Sequence, residues 1–190
     1  GSLTGGDEWY ASLAKQWTTT TKSPAEIHEL GLKEVARIKA EMEKVKNQVG
    51  FKGSIIEFFD FVRNKKELMP FKSPEEVIAN FEKIHATIKP NVDKLFALQP
   101  KTPFRIKRTE AFREKTASAE YVQGAADGSR PGTFYVPIPD VTHYNYYGDE
   151  DLFLHEAIPG HHFQISLQQE NKDLPDFRKF NWFGAYGEGW

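Results

Sequence analysis

The sequence predicts an α+β fold that is predominantly helical, with a small sheet of about three strands before a helix that carries a histidine cluster. Apolar residues recur at helical spacing through the first half of the chain. Short extended segments follow Pro103, and the helical pattern resumes at about Asp149. The length of 190 residues and a hydrophobic content of 39% suit one soluble domain with its own core.

Two of the predicted helices begin with the same signal. Ser23 and Ser73 are each followed by a proline and, three residues on, by a glutamate, which is the capping-box pattern with proline at the first helical position. Gly50 should end the first of these helices and Pro90 the second. Shorter helical segments are predicted for residues 54–63 and 91–98.

The predicted sheet lies between these helices and the histidine cluster. Its segments alternate in polarity or are rich in strand-forming residues. A loop of glycine, aspartate, serine and proline separates the second segment from the third, and Pro137 ends the third. The three strands are predicted at residues 104–108, 118–122 and 132–136.

Composition excludes several classes of function. A net charge of -2, with both signs interspersed, gives no basic surface for nucleic acid. The absence of cysteine excludes disulfides and thiolate metal sites, so any metal must bind nitrogen or oxygen. No apolar run is long enough to span a membrane. We expect residues 1–6 to be a flexible start or a cloning scar, and residues 7–190 to be part of a single domain that is truncated at both ends.

The decisive feature is a cluster in which His155, His161 and His162 lie within eight residues, with Glu156 after the first histidine. Imidazole is a common zinc ligand, and a carboxylate beside a metal-bound water can accept its proton. The alternative without a functional role is a set of polar residues on an exposed, kinked helix. We favour a hydrolytic metal site.

The spacing of the histidines requires a break in the helix. On an unbroken helix His161 would lie about 9 Å along the axis from His155 and about 120° round it. Pro159 and Gly160 supply the break, because proline removes a helical hydrogen bond and glycine relaxes the backbone. A two-residue bulge favours His161 as the second ligand. A larger kink would give that role to His162, which otherwise turns toward a supporting carboxylate or the substrate.

A catalytic zinc also needs a third protein ligand and an open position. Glu188 is the best candidate, because it lies in the last predicted helix between Gly187 and Gly189, which would let other backbone approach. Its alternative role is that of an ordinary surface glutamate. Glu156 would face the metal-bound water as the general base.

The segment from His155 to Gln164, together with the run from Gly187 to Trp190, resembles the bacterial family catalogued as domain of unknown function 885. That family is grouped with zincin-like metallopeptidases whose third ligand is a glutamate. The resemblance implies a zincin-like catalytic domain that binds one Zn²⁺ through His155, His161 and Glu188, with Glu156 as base.

The resemblance extends to residues 121–136, which precede the metal helix. It implies that the strand at residues 132–136 is an edge strand along which an extended substrate lies, so that Thr133, Phe134 and Tyr135 are candidate substrate-binding residues. Arg130, on the preceding loop, is a candidate for holding a substrate carboxylate.

The sequence therefore predicts a zinc-dependent hydrolase, foremost a metallopeptidase, acting on a peptide or a small amide. The alternatives are a metal-stabilised binding module without turnover and a hydrolase of non-peptide amides. The family resemblance is compatible with a secreted, periplasmic or lipid-anchored bacterial protein. Oligomeric state is left open.

Overall fold

The computed structural model describes residues 2–190, and Gly1, the first residue of the predicted flexible start, lies outside them. The elements in chain order are α1 (Gly6–Thr18), α2 (Pro24–Val49), α3 (Ile55–Asn64), α4 (Pro74–Leu95), β1 (Phe104–Arg108), β2 (Glu120–Val122), β3 (Gly132–Val136), α5 (Asp149–Glu156), α6 (His161–Glu170), α7 (Asp176–Lys179) and α8 (Gly184–Gly189). The fold is mostly helical with three strands, which confirms the predicted α+β class.

The chain forms two compact units. The first unit contains α1, α2 and α3 and, from the end of the chain, α8. The second unit, Lys65–Asn181, contains the sheet and the helices from α4 to α7. Within the described residues, no helix combines the length and the apolar character that crossing a membrane requires.

The capping box predicted for α2 is present. The Glu26 backbone N–H donates to Ser23 Oγ at 3.3 Å, and the Ser23 backbone N–H donates to Glu26 Oε2 at 2.8 Å. At the other end Gly50 adopts φ 83°, a left-handed conformation that favours glycine. Local sequence alone therefore defines both ends of this helix.

The prediction that Pro90 ends α4 is wrong, because α4 continues through Pro90 to Leu95 and includes most of the separately predicted segment 91–98. Proline removes one helical hydrogen bond, but the turn that follows still gains from burial. Val92 in that turn is only 3% exposed and belongs to the core of the second unit. Packing of this kind can outweigh the lost bond.

The sequence patterns do not predict α1. Its signal is the four-residue spacing of Trp9, Leu13 and Trp17, which places three large apolar side chains on one helical face. The acidic residues Asp7 and Glu8 lie in its first turn, where their negative charges interact favourably with the helix dipole.

The three strands form one mixed sheet in the order β1-β3-β2. β1 runs parallel to β3, with Phe104 opposite Gly132, and β2 runs antiparallel to β3, with Tyr121 opposite Phe134. The prediction that residues 132–136 are an edge strand is wrong, because β3 is central. Its backbone is paired on both sides, and β1 and β2 are the edges of the sheet among the described residues.

The core of the second unit lies between the sheet and α4, α5 and α6. The ring of Phe134 on β3 meets Phe81 of α4 edge to face, with 5.2 Å between ring centroids, and lies 6.5 Å from the ring of Phe153 on α5. All three side chains are fully buried. This contact holds the helix that carries His155 against the sheet.

Candidate metal centre

The helix that carries the histidine cluster is broken where the sequence predicts. α5 ends at Glu156 and α6 begins at His161, and the Ile158–Pro159 peptide between them is cis. A hydrogen bond from the Phe163 N–H to the Ala157 carbonyl, at 3.2 Å, spans the break. The chain therefore leaves the helix for four residues and re-enters it at His161.

Gly160 is essential to this local path. A Cβ atom at this position would overlap the carbonyl oxygens of Leu154 and His155, which belong to the last turn of α5. Because Gly160 has no Cβ, the backbone of the break can lie close against the end of α5. This close approach lets α6 begin beside the turn that carries His155.

His155 and His161 face each other across the break. Their ring centroids are 4.5 Å apart, with the ring planes at 74°, and a ring nitrogen of one lies within 4.8 Å of a ring nitrogen of the other. His155 is exposed and His161 is half-buried. Two imidazoles at this separation, on a solvent-accessible surface, can converge on one metal ion.

His162 points elsewhere, into the second unit. Its side chain is 2% exposed, and its ring lies 4.6 Å from that of Phe104. Nδ1 is 2.9 Å from the Tyr121 hydroxyl and 3.3 Å from that of Ser166. Burial lowers the pKa of His162 to about 4. A neutral imidazole with these partners anchors the first turn of α6 to the sheet.

Neither Tyr121 nor Ser166 is predicted from the sequence as a hydroxyl partner of His162. Ser166 lies four residues after His162 on α6, so helical spacing could have revealed that contact. Tyr121 is on β2 and its hydroxyl also packs against Gly132, where a Cβ would overlap it. That contact depends on the pairing of strands, which the sequence patterns do not specify.

Glu156 is the last residue of α5 and is 6% exposed. It therefore lies next to His155 in the chain but is far more enclosed. A carboxylate held in this way at the end of the helix has few conformations open to it, which suits a group that must meet one reacting atom.

Glu188 lies in α8, in the first unit, and is exposed. The glycines beside it have different surroundings from those expected. Gly187 is packed against the ring of Trp182, a side chain, and a Cβ on Gly189 would meet no atom within 4 Å. The expectation that both glycines admit neighbouring backbone is thus not met by their nearest contacts.

The candidate substrate-binding residues on β3 are mostly enclosed. Thr133 is 1% exposed and Phe134 is fully buried. The Tyr135 ring has Lys107 Nζ at 5.4 Å and the Arg113 guanidinium carbon at 4.9 Å from its centroid. Their proposed role depended on β3 being an edge, and the sheet order removes that basis. Arg130 is exposed on the loop before β3.

A buried polar cluster fixes the start of α5. Asp149 is 3% exposed, and its carboxylate accepts hydrogen bonds from the Tyr144 hydroxyl and the Asn80 amide, both at 2.8 Å. Burial raises the pKa of Asp149 to about 6. The cluster joins α4 to the first turn of α5, so it contributes to the position of the helix that carries His155.

Comparison with known proteins agrees with the resemblance noted in the sequence. The model of a family described as bacterial protein of unknown function (DUF885) matches residues 2–190. Among solved structures, the chain is similar to that of "the putative lipoprotein from Colwellia psychrerythraea", with a TM-score of 0.93 and 28% sequence identity. That similarity covers 100% of this chain and 33% of the other, so this chain spans about a third of its length.

A comparison with curated proteins finds no match. The family match nevertheless extends over nearly the whole chain and includes both the broken helix and the segment that carries Glu188. The chain therefore belongs to the DUF885 family of bacterial proteins.

Proposed function

We propose that this protein is a zinc-dependent hydrolase, foremost a metallopeptidase, that binds one Zn²⁺ through His155, His161 and Glu188. The observation that carries the proposal is the pairing of two imidazoles across the Pro-Gly break, with a ring nitrogen of one within 4.8 Å of a ring nitrogen of the other. The assignment to the zincin-like metallopeptidases comes from the family resemblance.

The donor set fits zinc. Two nitrogens bound at about 2.0–2.1 Å to a tetrahedral zinc lie about 3.4 Å apart. The ring nitrogens of the histidine pair lie within 4.8 Å of each other. Glu188 would supply the acidic ligand, the role that the family resemblance gives to this position. Two histidines and a glutamate leave the fourth position open, as a catalytic zinc requires.

Glu156 is the proposed general base. A bound zinc would supply a Lewis acid and lower the pKa of its water. The Glu156 carboxylate would take a proton from the attacking water and return it to the leaving amine. Its place beside His155, together with its burial, supports this role, because the carboxylate is held in a restricted set of orientations.

An extended substrate would pair with β2 rather than β3. β2 is an edge of the sheet, and Tyr121 on it contacts His162, the neighbour of His161. A peptide added to this edge would form main-chain hydrogen bonds close to the start of α6. Exposed Arg130, on the loop between β2 and β3, remains a proposed contact for a substrate carboxylate.

The test of the function uses Glu156→Gln in the full-length protein, with a library of quenched fluorescent peptides as substrate. We expect unchanged zinc content and a kcat lower by about 10²–10⁴-fold, because the proton acceptor is lost. Glu150→Gln changes an exposed glutamate of the same helix and is the matched control. Full activity with full zinc content in Glu156→Gln would rule out the assigned base.

The other functions predicted from sequence can be distinguished when N-acyl amides are assayed beside the peptides. Cleavage of N-acyl amides but of no peptide would change the substrate class to a non-peptide amide. Zinc binding without any hydrolysis would favour a metal-stabilised binding module. The protein from Colwellia psychrerythraea supports an exported or lipid-anchored location, which cell fractionation tests directly.

A further inference from the structure

The short helix that carries Glu188 depends on its surroundings for stability. α8 has six residues, and three of them are Gly184, Gly187 and Gly189. Glycine loses the most backbone entropy in a helix, so a segment this rich in glycine gains little from its own helix propensity. Contacts with other parts of the first unit therefore contribute to its stability.

Trp17 supplies one of these contacts. Gly184 is buried, and a Cβ on it would overlap the indole ring of Trp17, a residue of the last turn of α1. The backbone of α8 thus lies in close contact with the indole ring of a side chain that belongs to a thirteen-residue helix. No residue other than glycine permits so close an approach.

A second indole contacts the same short helix. Gly187 is also buried, and a Cβ there would overlap the ring of Trp182, which lies two residues before α8. Gly189 differs, since a Cβ on it would meet no atom within 4 Å. Two close-packed glycines three residues apart restrict both the position of α8 and its rotation about its axis. Rotation about this axis sets the direction of Glu188.

We propose that Trp17 is a positioning residue for Glu188: by packing on Gly184 it holds α8 at the rotation that presents the Glu188 carboxylate to the metal. The inference rests on the proposed zinc site. It assigns a role to α1, which carries none of the predicted ligands.

The test compares two additions of a methyl group to the same helix. Gly184→Ala forces α8 away from Trp17. We expect it to weaken zinc binding by about 10–100-fold, because the loss of a contact that supports a metal ligand typically has an effect of this size. Gly189→Ala is the matched control, with the same change in helix propensity and no steric conflict. Zinc affinity is measured by competition with a chelating dye.

A spectroscopic readout separates positioning from general stability. The visible absorption bands of the Co²⁺-substituted protein report the ligand set, and they should change in Gly184→Ala as they do in Glu188→Ala. In the Trp17→Ala variant the indole ring beside Gly184 is absent, so a Cβ at position 184 meets no ring. Adding Gly184→Ala to this variant should therefore have little further effect on zinc affinity or on the spectrum. Should Gly184→Ala fail to fold, Trp17→Leu, which keeps an apolar contact without the flat ring, carries the same prediction of weaker zinc binding and an altered spectrum.

The possible results distinguish the two proposals. If Glu188→Ala weakens zinc binding while Gly184→Ala behaves like Gly189→Ala, Glu188 stays a ligand and the role of Trp17 is overturned. If Glu188→Ala leaves both zinc affinity and the Co²⁺ spectrum unchanged, the proposed third ligand is itself wrong.

Discussion

Adjacent residues in the chain can have opposite roles when one begins a helix after a break. His161 faces His155 at the surface, whereas His162 is buried between the sheet and α6 and has hydroxyl partners. Helix geometry alone does not decide between these two histidines as the second ligand. The size of the kink determines which of them faces His155, and the sequence does not specify the backbone path through the kink.

The two histidines should respond differently to removal. His162→Ala leaves a cavity and removes one hydrogen-bond partner of the Tyr121 hydroxyl, so we expect a loss of about 2–4 kcal/mol in the free energy of unfolding. His161→Ala removes a half-buried side chain, and in the metal-free protein its cost should stay within about 1 kcal/mol. Urea denaturation of both variants without zinc measures the difference.

Zinc content should show the reverse pattern. His161→Ala should lose zinc, whereas His162→Ala should retain it when folded. Retention of zinc by His161→Ala together with its loss from His162→Ala would mean that the ligand is the buried histidine.

Asp149 should make stability depend on pH. Burial raises the folded-state pKa of this carboxyl to about 6, so the folded protein binds the proton more tightly than the unfolded chain. Stability should therefore fall as pH rises from about 4 to about 6, by at most about 3 kcal/mol, and then level off. Thermal unfolding of Asp149→Asn, which does not titrate, should lack this decline.

The hydrogen bond from Tyr144 provides a second arm of this experiment. Its hydroxyl donates to Asp149 and stabilises the charged carboxylate, which lowers the pKa of that group. Tyr144→Phe should therefore move the decline in stability to higher pH. A profile that is identical in wild type, Asp149→Asn and Tyr144→Phe would show that another group is responsible.

At the scale of elements, the break between α5 and α6 is the feature that makes the proposed site feasible. The sequence predicts it because Pro159 and Gly160 act locally, and a local rule needs no knowledge of the rest of the fold. The extension of α4 through Pro90 shows the opposite case, since burial of Val92 in the core accompanies the continuation of the helix.

The importance of the close approach at the break can be tested by adding one methyl group to Gly160. Gly160→Ala should displace α6 from the end of α5, because the added Cβ overlaps the carbonyl oxygens of Leu154 and His155. We expect a loss of at least about 2 kcal/mol in the free energy of unfolding, together with weaker zinc binding. Chemical denaturation and dye competition measure the two effects.

Gly148→Ala is the control for this change. Gly148 precedes α5, and a Cβ there would meet no atom within 4 Å. Its stability and zinc affinity should stay close to those of the wild type. Equal effects of the two substitutions would mean that the close approach at Gly160 has no special importance.

Strand positions were easier to predict than strand order. Residues 104–108 and 132–136 form strands at the predicted bounds, because their composition and alternation are local signals. The central place of β3 depends on pairings between segments far apart in the chain, with β1 on one side and β2 on the other. The error in assigning the edge strand follows from this non-local origin.

At the scale of the whole molecule, the described chain has two compact units. The histidines belong to the second unit, and Glu188 belongs to the first through α8. The sequence predicts these residues as ligands from their type and spacing and from the family resemblance. It could not indicate that α1 packs on α8, since α1 itself has only a weak local signal.

The zinc content of the purified protein tests the central claim most directly. It is measured by inductively coupled plasma mass spectrometry on protein prepared without chelators or metal-affinity resin, beside the His155→Ala/His161→Ala double variant. We expect about one zinc per chain in the wild type and only background in the double variant. Wild-type protein that contains no more zinc than the double variant, even after incubation with micromolar zinc, would contradict that claim.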